Sequence, residues 1–193
     1  MTKPGVQTLL ARHHADMARA SAAAMEQNYQ EAIEICSELI VSGGYEELER
    51  LGDANSEASA ANLAAAQRCR AEARLLMATA MHYADGHYED IVRVLSFALE
   101  SPAEIQKDVF FTLAVVHLSF GNSQEARLAM QRALELIELR SREFIERPAI
   151  AAPGSREPLR ERRPEARERA ELEIQAQEAR DFLKQLGAAL ESN

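Results

Sequence analysis

The chain has 193 residues, of which 47% are hydrophobic and only 5% aromatic, with no Trp and a net charge of −9. With 8 Gly and 6 Pro it is neither collagen-like nor of low complexity, and it has too many apolar residues for a wholly disordered protein. Because its 35 Ala, together with Leu, Glu, Arg and Gln, favour helices, the composition predicts an all-α protein rather than a β-sandwich or barrel.

Three similar segments follow one another along the chain, at residues 25–40, 84–99 and 119–134. The last two are offset by 35 residues, and stretches with helical hydrophobic spacing precede them at 71–83 and 106–118. A period of about 35 residues built from two helices predicts a helical solenoid, in which stacked neighbours bury one continuous core.

The residues at the expected helix ends support this register. Gly86 and Gly121 stand where one helix ends and the chain turns tightly, in a conformation that Gly adopts at low steric cost. Ser101-Pro102-Ala103-Glu104 has the pattern of a capping box with Pro at the first helical position, which predicts the start of a helix. Gly43-Gly44 predicts another helix end.

The spacing of the segments is irregular near the amino terminus, because the first two copies lie 59 rather than 35 residues apart. Residues 44–70 predict a short helix followed by a long extension of the next helix. We expect the repeat domain to cover residues 1–146, with a last helix that runs to about Glu146.

The carboxyl-terminal part has a different composition. Residues 147–164 contain four of the six Pro together with several Arg, which predicts a linker. Residues 165–193 then predict an amphipathic helix with one apolar face. We expect this helix to cap the exposed end of the last repeat, and occlusion of a partner groove is the alternative.

These patterns resemble the tetratricopeptide repeat (TPR). That family has a small residue or Gly at the turn between its two helices, an aromatic residue two positions later and Ala near the end of the second helix. These positions are occupied here by Gly86, Tyr88 and Ala98, and the resemblance covers roughly residues 12–140, although the Trp and Leu-Gly of the family's first helix are absent. It implies an α-α solenoid of about three irregular helix-turn-helix repeats plus the C-terminal helix.

The resemblance also implies a concave surface that is lined by the first helix of each repeat and binds a peptide or a helix. On the present register this surface is mostly apolar and lacks the Lys, Arg and Asn that hold a terminal carboxylate, so we expect it to bind an apolar helix or peptide segment of another protein. The alternative is that some of these side chains, Leu76 and Phe111 above all, belong to the core. The predicted partner-binding residues are Met17, Leu76, Ala80, Tyr83, Asp108, Phe111, Val115 and Leu118.

The sequence contains no motif for catalysis, phosphate binding or metal binding, so we expect no enzymatic activity, no cofactor and no metal. Cys36 and Cys69 are isolated, which indicates neither a disulfide framework nor a zinc site. His82 and His117 occupy equivalent places in adjacent repeats, where they are expected to pack in place of an aromatic ring rather than to bind a metal.

The sequence therefore predicts a cytoplasmic adaptor, scaffold or chaperone, with no signal peptide and no apolar run long enough to span a membrane. Dimerisation through apolar repeat faces is compatible with this prediction. The alternative function is regulatory contact with nucleic acid or another polyanion through the Arg-rich segment 156–169. Interleaved Glu residues and the acidic net charge argue against nucleic acid.

Overall fold

The computed structural model describes residues 5–42, 45–46, 57–146 and 162–191. Within these ranges the chain forms seven helices and no strand, which confirms the prediction of an all-α protein. Among the described residues, no helix combines the length and the apolar character needed to cross a membrane. The helices are α1 Val6–Met25, α2 Tyr29–Ser42, α3 Glu57–Tyr83, α4 Tyr88–Ala98, α5 Ala103–Ser119, α6 Ser123–Glu146 and α7 Arg162–Glu191.

Each helix packs on its neighbours in the chain. The consecutive pairs from α1·α2 to α6·α7 all make contact, and α3 also contacts both α1 and α5. Helices α1, α3 and α5 therefore lie side by side, and α7 packs along α6.

Small side chains lie where the helices approach one another. The larger core cluster joins α3, α4, α5, α6 and α7 around fully buried Ile91, Leu95 and Met130. Ala78, Ala98, Ala114 and Ala133 are also fully buried, and their small side chains allow close approach of the helices. A smaller cluster between α1, α2 and α3 contains Ala20, Cys36 and Ala73. The high Ala content thus reflects helix packing.

The three turns α1–α2, α3–α4 and α5–α6 share one hydrogen-bonding motif. In each turn the third residue after the helix donates its backbone N–H to a carbonyl five residues earlier, in the pattern of a Schellman motif. The three N···O distances are all 2.8 Å, for the pairs Asn28–Ala23, Gly86–Met81 and Asn122–His117. The residue just before each donor has a positive φ, with values of 63° for Gln27, 55° for Asp85 and 80° for Gly121.

Gly86 lies in the turn after a helix end, as expected, but the left-handed conformation expected for it is wrong, whereas that of Gly121 is confirmed. Asp85 and not Gly86 adopts the left-handed conformation in the second turn. Gly86 is required for a different reason, because a Cβ atom at this position would lie 2.8 Å from the carbonyl oxygen of Met81. The second turn is also one residue longer than the other two, since α4 begins three residues after Asp85.

The predicted capping box at Ser101 is also wrong. Helix α5 begins at Ala103 with Pro102 at the N-cap, and no side chain caps this end. The Ser101 side chain is buried and its hydroxyl has no hydrogen-bond partner among the described residues. Instead, Nε2 of Gln106 donates to the carbonyl oxygens of Leu99 and Ser101, at 3.1 and 2.8 Å.

The long helices agree with the sequence pattern. Helix α3 begins at Glu57, well before residue 71, and α6 ends at Glu146 as expected. Helix α7 begins at Arg162 rather than at residue 165, so Pro164 lies in its first turn, where the missing N–H has no intrahelical partner to lose. The predicted helix end at Gly43-Gly44 and linker residues 147–161 lie outside the described residues.

Candidate partner-binding surface

Three of the eight predicted partner-binding residues lie between helices. Met17 and Leu76 are partly buried against the cluster that joins α1, α2 and α3. Ala80 is buried beside Ala23 and Ala32. These three side chains stabilise the contact of α3 with α1 and α2, and Ala80 is not accessible to a partner.

The other five predicted residues lie on α5 and at the end of α3. Phe111 is partly buried against the larger core cluster, and the Asp108 carboxylate lies 2.7 Å from Nζ of Lys107. Tyr83, Val115 and Leu118 have exposed fractions of 62%, 37% and 39%. Only these last three offer an open apolar surface.

Phe120 is a fourth exposed apolar side chain at the end of α5 and was not predicted. It is the C-cap residue of α5, and its side chain is 43% exposed. An aromatic residue immediately before the turn residue Gly121 is the signal that could have identified it. We call the set of four exposed residues the turn-end surface, and its members are Tyr83, Val115, Leu118 and Phe120.

The rings of this surface are held by an unbroken series of ring contacts that links the three turns. Each ring belongs to the end of α3 or α5 or to the start of α2 or α4, so the turns bring the rings together. The centroid distances are 5.7 Å for Tyr29–Tyr83, 5.5 Å for Tyr83–His82, 6.3 Å for His82–Phe120, 5.3 Å for Phe120–Tyr88 and 5.7 Å for Tyr88–His117. Such contacts orient exposed rings before a partner arrives, which lowers the entropic cost of binding.

The two histidines of this series act as packed rings. Burial lowers the pKa of His117, against a smaller opposing effect of Glu125, and its Nδ1 forms a hydrogen bond with the Tyr88 hydroxyl at 2.9 Å. Nδ1 of His82 is buried without a hydrogen-bond partner among the described residues. Within the described part of the chain, no group of three or more His, Cys, Asp or Glu side chains is arranged to hold a metal ion.

A second group of polar side chains is buried between α1, Tyr45 and α3. His13 is only 1% exposed, and its Nδ1 and Nε2 lie 2.9 Å from the Tyr45 hydroxyl and 3.3 Å from a Glu72 carboxylate oxygen. Burial by itself lowers the pKa of His13, but hydrogen bonds and charge interactions with Cys69 and Glu72 outweigh it and raise the pKa to about 9. Both ring nitrogens therefore carry protons at neutral pH, so that Nδ1 donates to Tyr45 and Nε2 to Glu72.

Cys69 and His13 are the residue types of a nucleophilic thiol and its general base, but their burial gives them a structural role instead. A nucleophilic thiol has to meet its substrate. The side chains of Cys69 and Tyr45 are buried, and both pack in one cluster with Leu9 and Ala66. The group joins α1 to α3 as a polar contact in which His13 is buried and Glu72 is partly exposed.

A cleft of about 360 Å³ lies between α5, α6 and α7. Its charged side chains pair with one another, since Arg140 lies 3.0 Å from Glu143, 3.3 Å from Glu168 and 3.8 Å from Glu104. Lys107 donates to Oε1 of Gln175 at 3.0 Å. These contacts hold α7 against α5 and α6. The cleft is therefore lined by the side chains through which α7 packs on the other two helices.

Comparison of the chain with protein-family models, with curated proteins and with solved structures finds no match to it.

Proposed function

We propose that this chain is a TPR-like protein-interaction module without enzymatic activity, which binds an apolar segment of a partner protein at the turn-end surface. Three helix pairs with the same turn motif support the TPR-like arrangement. The side-by-side contacts of α1, α3 and α5 support it as well, because the first helices of successive repeats line one surface in such solenoids.

The observation that carries the proposal is the accessibility of four apolar side chains, two of them aromatic, in the last two turns of the adjacent helices α3 and α5 or directly after them. Tyr and Phe rings that are exposed and held in place offer a large contact area at small entropic cost. Isolated exposed apolar residues are normal on any protein surface, whereas grouped ones indicate a site for association.

In this proposal α7 caps the solenoid. It buries Leu172, Ala176, Ala179 and Leu186, and it covers Ile137 of α6. The turn-end surface remains exposed with α7 in this position, which favours capping over occlusion of the binding surface.

The polyanion alternative has less support. Its residues 156–161 lie outside the described part of the chain. Arg167 and Arg169 are each near a carboxylate of the same helix, with N···O distances of 3.1 Å to Glu171 and 3.6 Å to Glu173. Loss of binding to nucleic acid with rising salt would be the mark of phosphate contacts.

Affinity purification from the native lysate with Leu118→Asp tests the proposed function. Leu128→Asp is the matched control, because Leu128 is an exposed Leu on α6 and outside the turn-end surface. We expect the wild type and the control to retain the same partners and Leu118→Asp to lose them, with unchanged helicity by circular dichroism in both variants. Partners that all three proteins retain would contradict the proposal.

A second copy of the chain is another possible occupant of the surface. Sedimentation velocity of the wild type and Leu118→Asp measures this directly, since a dimer formed through the turn-end surface would dissociate in the variant and not in Leu128→Asp.

A further inference from the structure

The three turns that carry the turn-end surface contain acidic residues and no Lys or Arg. Residues 22–32, 80–92 and 112–126 include none of the 22 basic residues of the chain. The six acidic residues in these segments are Glu26, Glu31, Asp85, Glu89, Asp90 and Glu125.

The folded chain brings these segments together. Stacking of Tyr29 on Tyr83 joins the first turn to the second, and the contact of His82 with Phe120 joins the second to the third. The carboxylates therefore belong to the same three turns as the exposed rings, and their like charges add to one negative potential at this end of the protein.

Most of these carboxylates remain open to solvent. Asp90 pairs with Arg93 from the next turn of α4, at 2.9 Å. Glu26, Asp85, Glu89 and Glu125 are exposed, at the ends of four different helices or in the turns between them. A partner can reach these four without displacing a buried contact.

Exposed rings beside carboxylates suit a cationic side chain. A guanidinium or ammonium group is attracted to the face of an aromatic ring, and nearby carboxylates strengthen the attraction. The protein itself contains this type of contact, with the Arg74 guanidinium 5.3 Å from the Phe97 ring and that of Arg70 5.5 Å from the Tyr45 ring. Because the three turn segments contain no Lys or Arg, none of their own side chains can occupy the same position over Tyr83 or Phe120.

We propose that the turn-end surface binds a Lys- or Arg-rich segment of a partner protein in which basic residues alternate with apolar ones. The basic side chains lie over the rings of Tyr83 and Phe120 and beside the carboxylates, and the apolar ones pack on Val115 and Leu118. This inference rests on the proposed function and specifies the chemistry of the partner.

The test uses a short synthetic peptide of alternating Arg and Leu residues with a single Trp, and a second peptide in which Glu replaces each Arg. Because the protein has no Trp, Trp fluorescence and its anisotropy report on the peptide alone. The full chain is titrated against each peptide at low and at high salt. We expect the Arg peptide to bind more tightly than the Glu peptide and to lose affinity at high salt, since exposed charges are screened.

The decisive comparison uses two triple variants of equal net charge. Glu26→Gln/Asp85→Asn/Glu125→Gln removes carboxylates of the turns, and Asn tolerates the positive φ at position 85. The control triple Glu135→Gln/Glu173→Gln/Glu178→Gln removes three exposed carboxylates of α6 and α7. We expect the turn triple to weaken binding of the Arg peptide at least about fivefold and the control triple to change it less than about twofold.

A third variant tests the rings. Tyr83→Leu keeps an apolar side chain and removes the ring face, so we expect it to weaken the Arg peptide about two- to fivefold and to leave the Glu peptide unchanged.

Equal affinities of the two triple variants for the Arg peptide would overturn the inference, as would equal binding of the two peptides or no binding of the Arg peptide below about 1 mM. These results leave the proposed function standing if Leu118→Asp still loses partners that Leu128→Asp retains. Retention of all partners by Leu118→Asp contradicts the proposed function itself, so the two failures are distinguishable.

Discussion

We predict that the free energy of unfolding falls as the pH rises, because the buried His13 loses its proton. Its ring donates to Tyr45 and to Glu72, and its pKa is raised from 6.5 in the unfolded chain to about 9 in the folded protein, where hydrogen bonding and charge outweigh burial. The folded state thus binds the proton more tightly than the unfolded state. This contribution to stability is complete below pH 6.5 and disappears as the pH rises to about 9.

The magnitude follows from the two pKa values. At about 1.4 kcal/mol for each tenfold change in proton affinity, the contribution of His13 to the free energy of unfolding reaches at most about 3 kcal/mol. The side chain is 1% exposed, so bulk solvent screens its contact with Glu72 only from the side of the carboxylate. For a domain of this size, a loss of about 3 kcal/mol is a large part of the total stability.

Urea unfolding followed by circular dichroism, at about pH 6 and at about pH 9.5, measures this effect. His13→Gln is the control for every other group that titrates in this range. We expect the wild type to lose about 2 to 3 kcal/mol more than His13→Gln between the two pH values. Glu72→Gln removes the charge that His13 contacts, and we expect it to lower the NMR titration midpoint of His13.

The opposite sign would refute this reasoning. If burial outweighed the hydrogen bonds, the pKa of His13 would fall below 6.5, and the wild type would gain stability relative to His13→Gln as the pH rises through that value. An NMR titration midpoint of His13 at or below 6.5 would lead to the same conclusion.

Three further predictions concern stability, measured by urea unfolding. Ser101→Ala removes a buried hydroxyl that has no partner among the described residues, so we expect it to leave the free energy of unfolding unchanged or to raise it by up to about 1 kcal/mol. A loss of about 1 kcal/mol or more would indicate that the Ser101 hydroxyl does cap α5. Gln27→Gly replaces a residue with a positive φ by one that adopts it without strain, so we expect the free energy of unfolding to rise by about 0.5 to 1 kcal/mol. Gln30→Gly in α2 is the control, and we expect it to lower the free energy of unfolding by about 1 kcal/mol. Equal losses of stability in the two variants would contradict the turn geometry. We expect Leu172→Ala to lower the free energy of unfolding by about 2 to 4 kcal/mol, because this side chain is buried. Ile174 is 60% exposed on the same helix, and we expect Ile174→Ala to lower it by less than about 0.5 kcal/mol. Equal effects of the two substitutions would mean that α7 does not pack as described.

Local features of the structure were predictable wherever a short stretch of sequence contains the whole cause. The early start of α3, the end of α6 at Glu146 and the left-handed Gly121 all follow from patterns within a few turns of helix. The capping box at Ser101 failed although its pattern is also local, because the N-cap residue of α5 is Pro102 rather than Ser101 and no side chain caps this helix end.

The candidate site was predictable only in part. Tyr83 and Ala80 were predicted together from one helical face, yet Tyr83 is 62% exposed and Ala80 is buried. Their difference depends on how far α1 and α2 reach along α3, which no periodicity in α3 encodes. Phe120 was missed because helical periodicity assigns a face to residues within a helix and not to a residue at its end.

By itself, the sequence determined that this chain is helical and roughly where its helices begin and end, because helix propensity, turn residues and hydrophobic period act between near neighbours. Only the tertiary structure decided which apolar side chains stay exposed and which polar ones meet, since both depend on segments distant in the chain. His13 and Glu72 are 59 residues apart and yet lie in contact between α1 and α3. The carboxylates around the turn-end surface likewise come from three separate turns that only the packing of the helices brings together.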